Sequence, residues 1–147
     1  MELWQLIARE SIRDLVARYN AQGDSGRFDE MLKVFHPSAV METPGHVYEG
    51  YSGIREMLEE AASRTLEGAG GNYVRHYTAT HQIDLESEDR ARGRSYYQVL
   101  TDRGLDHWGR YVDKYARLEG RWWIIRRNVS VDGRVKGGWS DLAKDTE

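Results

Sequence analysis

At YVRHYTATHQIDLE, residues 73–86, the spacing of apolar residues changes from helical to alternating. Successive strand side chains point to opposite faces. On a straight strand His76, Thr78, Thr80 and Gln82 therefore share one face, and Arg75, Tyr77, Ala79, His81 and Ile83 share the other. This predicts that His81 points away from His76 unless a bulge intervenes. Downstream the alternation continues through about Arg90–Thr101, Asp106–Leu118 and Arg121–Asp132. The links Ser87-Glu-Asp89, Asp102-Arg-Gly104 and Glu119-Gly120 carry turn chemistry and are short, which favours antiparallel hairpins.

Upstream the period is helical. Leu3, Leu6, Ile7, Ile12, Leu15, Val16 and Tyr19 fall on one stripe of a helix running from Leu3 to about Gln22, with Gly23 and Asp24-Ser-Gly26 as its exit. A second short helix starts near Arg27, places Phe28, Met31, Leu32 and Phe35 inward, and is stopped by Pro37. Two short strands, Ala39–Glu42 and His46–Glu49, flank Pro44-Gly45. A third helix opens at Gly50-Tyr-Ser52 and buries Ile54, Met57, Leu58 and Ala61. Gly68-Ala-Gly-Gly71 reads as a loop, and the polar segment from Lys136 onward, Trp139 and Leu142 apart, reads as a fraying tail. Helices first and an antiparallel meander afterwards is an α+β pattern. A curved sheet closed by helices leaves a concavity suited to a small ligand. The expectation is one domain over residues 1–147, with a core at about 7–131 and a tail at about 136–147.

Composition narrows the function. The 147 residues carry a net charge of −3, so a basic nucleic-acid surface is not expected. Five Trp and nine Tyr argue against disorder. With no Cys there is no disulfide, thiolate metal site or cysteine nucleophile. No run approaches the ~18 apolar residues of a membrane span, and the N-terminus mixes charge with apolar residues, unlike a secretory signal. A cytoplasmic address without membrane attachment is the simplest expectation.

Among charged groups, Asp24 and His76 stand out. Asp24 follows a helix and also suits a turn; His76 also suits a packed or surface position. The five His show no metal-ligand spacing, and there is no G-x-S-x-G elbow or phosphate loop. The glycine-rich loop precedes a strand, so no helix N-terminus waits there for phosphate. Tyr96-Tyr97, His107-Trp-Gly-Arg-Tyr111 and Trp122-Trp123 serve either sheet packing or a pocket wall.

Tyr19-Asn-Ala-Gln-Gly-Asp24, Phe28, Phe35-His-Pro-Ser-Ala-Val40 and Tyr48-Glu-Gly50 resemble the opening of SnoaL-like domains. Arg75-His76, Gly109-Arg-Tyr-Val-Asp-Lys-Tyr-Ala-Arg117 and Gly120-Arg-Trp-Trp-Ile-Ile-Arg-Arg127 resemble their remainder. The resemblance runs from about Ile7 to Val131. It implies the cone-shaped, cystatin-like α+β fold of the nuclear transport factor 2-like superfamily, with a curved mixed or antiparallel sheet under about three helices. The pattern is most similar to the dehydratase and dehydrochlorinase branch, which includes scytalone dehydratase and bile-acid 7α-dehydratase. That branch pairs an Asp at the end of the first helix with a His on the first long strand, the positions of Asp24 and His76. Arg27 and Thr80 depart from it, standing where many relatives carry Asp and Asn.

The resemblance implies a cofactor-independent, metal-free lyase acting on a hydrophobic cyclic small molecule, with His76 as base and Asp24 orienting it. Tyr19, Tyr48, Tyr97, Tyr111 and Trp122 are the expected aromatic wall, with Tyr19 or Tyr48 donating to the departing hydroxyl. An isomerase or cyclase of polyketide- or steroid-like rings remains open. So does a non-catalytic binding module, or a subunit similar to the small subunits of ring-hydroxylating dioxygenases. Apolar residues on both strand faces, such as Tyr77 and Tyr96, predict a homo-oligomer, a trimer or a dimer.

Overall fold

The computed structural model describes residues 1–66 and 73–142. The Gly68–Gly71 loop and residues 143–147 lie outside them. The elements are α1 (Leu3–Asp24), α2 (Phe28–Leu32), β1 (Phe35–Thr43), β2 (His46–Glu49), α3 (Gly50–Leu66), β3 (Val74–Leu85), β4 (Arg90–Thr101), β5 (Gly104–Leu118), β6 (Arg121–Arg134) and α4 (Trp139–Leu142). One six-stranded sheet has the order β2-β1-β6-β5-β4-β3. It is mixed: β1 runs parallel to β6 and every other neighbouring pair is antiparallel. The α+β architecture read from the sequence is the one observed.

The core lies between the inner face of the sheet and helices α1 and α3. Ile12, Phe35, Ile54, Val99, Tyr115 and Ile124 are fully buried. Each such side chain contributes roughly 1.5–3 kcal/mol by leaving water. In α1 the buried positions are Ala8, Ile12, Leu15, Val16, Tyr19 and Asn20, a 3.6-period stripe. Leu3, Leu6 and Ile7, expected on that stripe, are exposed instead. A 22-residue helix is ~33 Å long. Arg9 donates through Nη1 to the Ile83 carbonyl and ties α1 to β3.

Two irregularities correct the strand reading. Pro37 does not end α2, which stops at Leu32; it lies inside β1. The β1–β6 register slips between Phe35 and Val40, where proline has no N–H to give the ladder. In β3 the register shifts between Ala79 and Gln82, with Thr80 at φ +52°. This bulge reverses the facing, so His81 and the buried Ile83 lie on the inner face with His76 and Thr78. The straight-strand assignment of His81 to the opposite face fails at Thr80.

The described part of the tail, up to Leu142, folds back onto the sheet. Asp106 accepts the Trp139 N–H on Oδ1 at 2.7 Å and the Ser140 N–H on Oδ2 at 3.1 Å, folding α4 back against β5. No helix among the described residues is long and apolar enough to cross a membrane.

Candidate active site

The end of α1 meets the start of β3. Asp24 is the last helical residue and Asn20 lies one turn earlier, on the same face. Asp24 Oδ1 is 2.6 Å from His76 Nδ1, and Oδ2 accepts the His76 backbone N–H at 2.8 Å. Asn20 Nδ2 donates to Thr78 Oγ1 at 2.7 Å. Four helical residues rise ~6.0 Å and two strand residues ~6.6 Å, so i, i+4 on the helix matches i, i+2 on the strand. Gly23 lets Met31 of α2 pack close against the corner, where a Cβ would sit 2.9 Å from Met31 Sδ.

The paired side chains are mostly shielded, 12 % exposed for Asp24 and 23 % for His76. They line a cavity of about 650 Å³ between the sheet and the ends of α1 and α3. Its wall is largely apolar and aromatic, with Phe28, Met31, Met41, Met57, Leu58 and Trp139 among the contributors. Tyr19, Tyr97 and Tyr111 also line it. Tyr97 stacks on Tyr111 at 4.6 Å between ring centroids, and Tyr19 meets Tyr111 edge-on at 5.8 Å. Burial raises all three phenols above the ordinary tyrosine value. The Tyr97 hydroxyl donates to the Ser130 carbonyl at 3.0 Å and that of Tyr111 to Asn20 Oδ1 at 3.4 Å.

Two members of the expected wall lie elsewhere. Tyr48, on the short edge strand β2, points its hydroxyl at Glu60 Oε2, 3.4 Å away, and does not line the cavity. Trp122 sits opposite Arg117 beside the β5–β6 turn, whereas the cavity end of that pair is near Gly109 and Val131. It lines a separate cavity of about 590 Å³, with Trp4, Arg18, Lys33 and Arg121. Strand alternation identifies a face but not a height along the strand, which is why Trp122 was misplaced.

Several groups gain a role that the sequence reading does not give them, His107 among them although it belongs to one of the aromatic strings. Asn20 could have been found from its i, i+4 relation to Asp24. His107 lines the cavity, 5.9 Å from Tyr97 between centroids, with Nδ1 2.7 Å from Asp106 Oδ2. Burial lowers its pKa below the histidine norm, against the opposing pull of Asp106. Beneath the cavity floor, Arg127 is fully buried and makes two parallel 2.8 Å bonds to Asp113. Its guanidinium lies 4.2 Å from the Tyr19 ring centroid and 4.1 Å from that of Tyr111. Burial disfavours that charge, but the Asp113 carboxylate outweighs burial and holds Arg127 above the ordinary arginine value. Tyr115 donates to Asp113 at 2.7 Å, and its oxygen lies 3.2 Å from His81 Nε2. This charge-assisted network fixes the rings on which the cavity rests.

Chemically, an ionised carboxylate only accepts hydrogen bonds, so Asp24 places the His76 proton on Nδ1 and leaves Nε2 with its lone pair. A base so oriented, in a largely apolar hollow, suits removal of a proton from carbon. Among the described residues no cluster of three or more His, Cys, Asp or Glu could hold a metal ion.

The fold is shared with solved structures of low identity. A candidate scytalone dehydratase from Novosphingobium aromaticivorans superposes with a TM-score of 0.76 at 20% identity, over 92% of this chain and 91% of that one. A hexachlorocyclohexane dehydrochlorinase from Novosphingobium barchaimii gives 0.79 at 18% identity, covering 92% and 93%. A nuclear transport factor 2-like protein with a cystatin-like fold, also from N. aromaticivorans, gives 0.77 at 22%, covering 94% and 90%. Residues 4–128 match the SnoaL-like domain, a span running from the first turn of α1 to the middle of β6 and including both Asp24 and His76. With that match over most of its length, the chain belongs to the SnoaL-like domain family.

Proposed function

We propose that the protein is a cofactor-independent lyase of the dehydratase type, acting on a hydrophobic cyclic small molecule. The carrying observation is the 2.6 Å contact between Asp24 and His76 in the wall of a largely apolar 650 Å³ cavity. His76 Nε2 removes a proton from carbon beside an electron-withdrawing group. The C–H electron pair becomes the new C=C bond, the C–O bond breaks, and the proton leaves with the hydroxyl as water. Asp24 stabilises the imidazolium that forms, without itself taking the proton. Positioned proton transfer of this kind contributes on the order of 10²–10⁴-fold. The family and the names of two structural neighbours, a candidate dehydratase and a dehydrochlorinase, support an eliminating chemistry.

The same reading makes the protein a cytoplasmic homo-oligomer, a trimer or a dimer. Its support is the sheet face turned away from the helices, where Tyr77, Tyr96, Trp108 and Val112 are exposed. Light scattering at micromolar concentration tests this, and a monomer refutes it.

A panel of hydroxylated cyclic ketones, with products identified by mass spectrometry, tests the activity. Loss of 18 mass units that disappears in His76→Ala supports elimination. A product of unchanged mass that needs His76 turns the reading to isomerisation. Turnover unaffected by His76→Ala overturns both.

A further inference from the structure

The cavity holds a second aspartate-held histidine. His107 lies on β5 with Nδ1 2.7 Å from Asp106 Oδ2. Asp106 is buried, and its two oxygens also accept the N–H groups of Trp139 and Ser140. A carboxylate only accepts hydrogen bonds, and this one accepts from two backbone N–H groups, so the proton of the contact lies on His107 Nδ1 and Nε2 keeps its lone pair. The cavity wall thus presents two imidazole acceptors, and an elimination uses one of them.

Three other polar groups of the wall are committed. Tyr97 donates to Ser130, Tyr111 to Asn20, and Asn20 to Thr78. Beside His107, at 5.8 Å between ring centroids, the Trp139 ring completes the wall. The free Nε2 acceptor of His107 complements the O–H of a hydroxyl. A purely hydrocarbon ligand would leave that acceptor unsatisfied and lose affinity for it.

We propose that His107 is a second substrate-contacting residue, whose Nε2 accepts a hydrogen bond from a hydroxyl carried on the substrate ring while His76 faces the carbon acid. This rests on the eliminating reading and narrows its substrate class to rings that keep a free hydroxyl besides the group that leaves. Asp106 anchors both His107 and the N-terminus of α4, so the folding back of α4 is tied to the position of this imidazole.

The test uses the full chain, ¹⁵N-labelled, and two probes of nearly equal shape, 2-naphthol and 2-methoxynaphthalene. We expect His107 to be protonated on Nδ1 and its Nε2 resonance to move with 2-naphthol but not with the methyl ether. 2-Naphthol should bind about fivefold more tightly, the worth of one hydrogen bond. In His107→Phe that preference should fall to about one while the ether binds as before. An unprotonated Nδ1, equal affinities, binding of neither probe, or a preference that survives in His107→Phe would each overturn the assignment. The wild-type resonances decide the matter even if His107→Phe does not fold. No readout needs turnover. Proton abstraction by His76 can therefore fail while the His107 contact stands, and the reverse.

Discussion

Asp24 grips His76 at two points, ring and backbone, across 52 residues of chain. One carboxylate oxygen sets which ring nitrogen carries the proton, and the other fixes the height of the strand against the helix. A single side chain thus ties the chemistry of the site to the docking of α1 on β3.

That double role separates two variants. His76→Ala should lower kcat by roughly 10²–10⁴-fold with the fold retained, the span that positioned proton transfer supplies. Asp24→Asn should cost less, because the amide can still meet the ring but no longer stabilises its charge or enforces the tautomer. Steady-state kinetics reads the first effect and imidazole ¹⁵N shifts of His76 the second. Equal turnover in wild type and His76→Ala would remove the base from the mechanism.

The Arg127–Asp113 pair should behave as a buried charge pair. Asp113→Ala leaves the guanidinium uncompensated and should cost about 3–5 kcal/mol, measured by urea unfolding. Replacing both, as Asp113→Leu with Arg127→Met, should recover most of that loss. A loss below ~1 kcal/mol in Asp113→Ala would contradict the observed burial.

Gly109 is predicted to be intolerant of any side chain. A Cβ there would lie 1.9 Å from the Ser130 carbonyl oxygen, the acceptor of the Tyr97 hydroxyl. Gly109→Ala should destabilise by about 1–3 kcal/mol and displace the Tyr97 ring, visible in its aromatic NMR signals. An unchanged unfolding midpoint would refute it.

Acid should weaken the fold through two histidines. Burial, the largest cause for each, lowers both His81 and His107 below the ordinary histidine value. As pH falls below about 6.5 the unfolded chain therefore takes up protons first. Their contribution to stability is complete above that value and is lost as pH drops through the lowered folded values. The urea midpoint should be lower at pH 5 than at pH 7.5, and His81→Gln should reduce the difference. A midpoint that rises on acidification would contradict this.

Much of the fold was legible because it rests on periodicity. The switch from helical to alternating spacing at Tyr73 located the sheet, and the turn residues gave three of its strand links. What periodicity cannot carry is an inserted residue: Thr80 reversed the facing of β3 and brought His81 inward. Nor does it give height along a strand, which placed Trp122 in the wrong cavity. Asp24 and His76 stand out as charged groups from their positions, and the resemblance to a family pattern pairs them, whereas Asp106–His107 lies in plain view as adjacent residues. Its significance depends on α4 folding back, and a polar tail gives no sign of that.

The bulge at Thr80 divides β3 into two lengths with separate constraints. Before it, His76 and Thr78 answer to the end of α1 and to the ligand cavity. After it, His81 and Ile83 answer to Tyr115 and the packed base of the sheet. Because the facing is reset between them, a change at the mouth need not propagate as a frame error into the base. One strand can then carry a site that is free to vary in specificity and a foundation that is not.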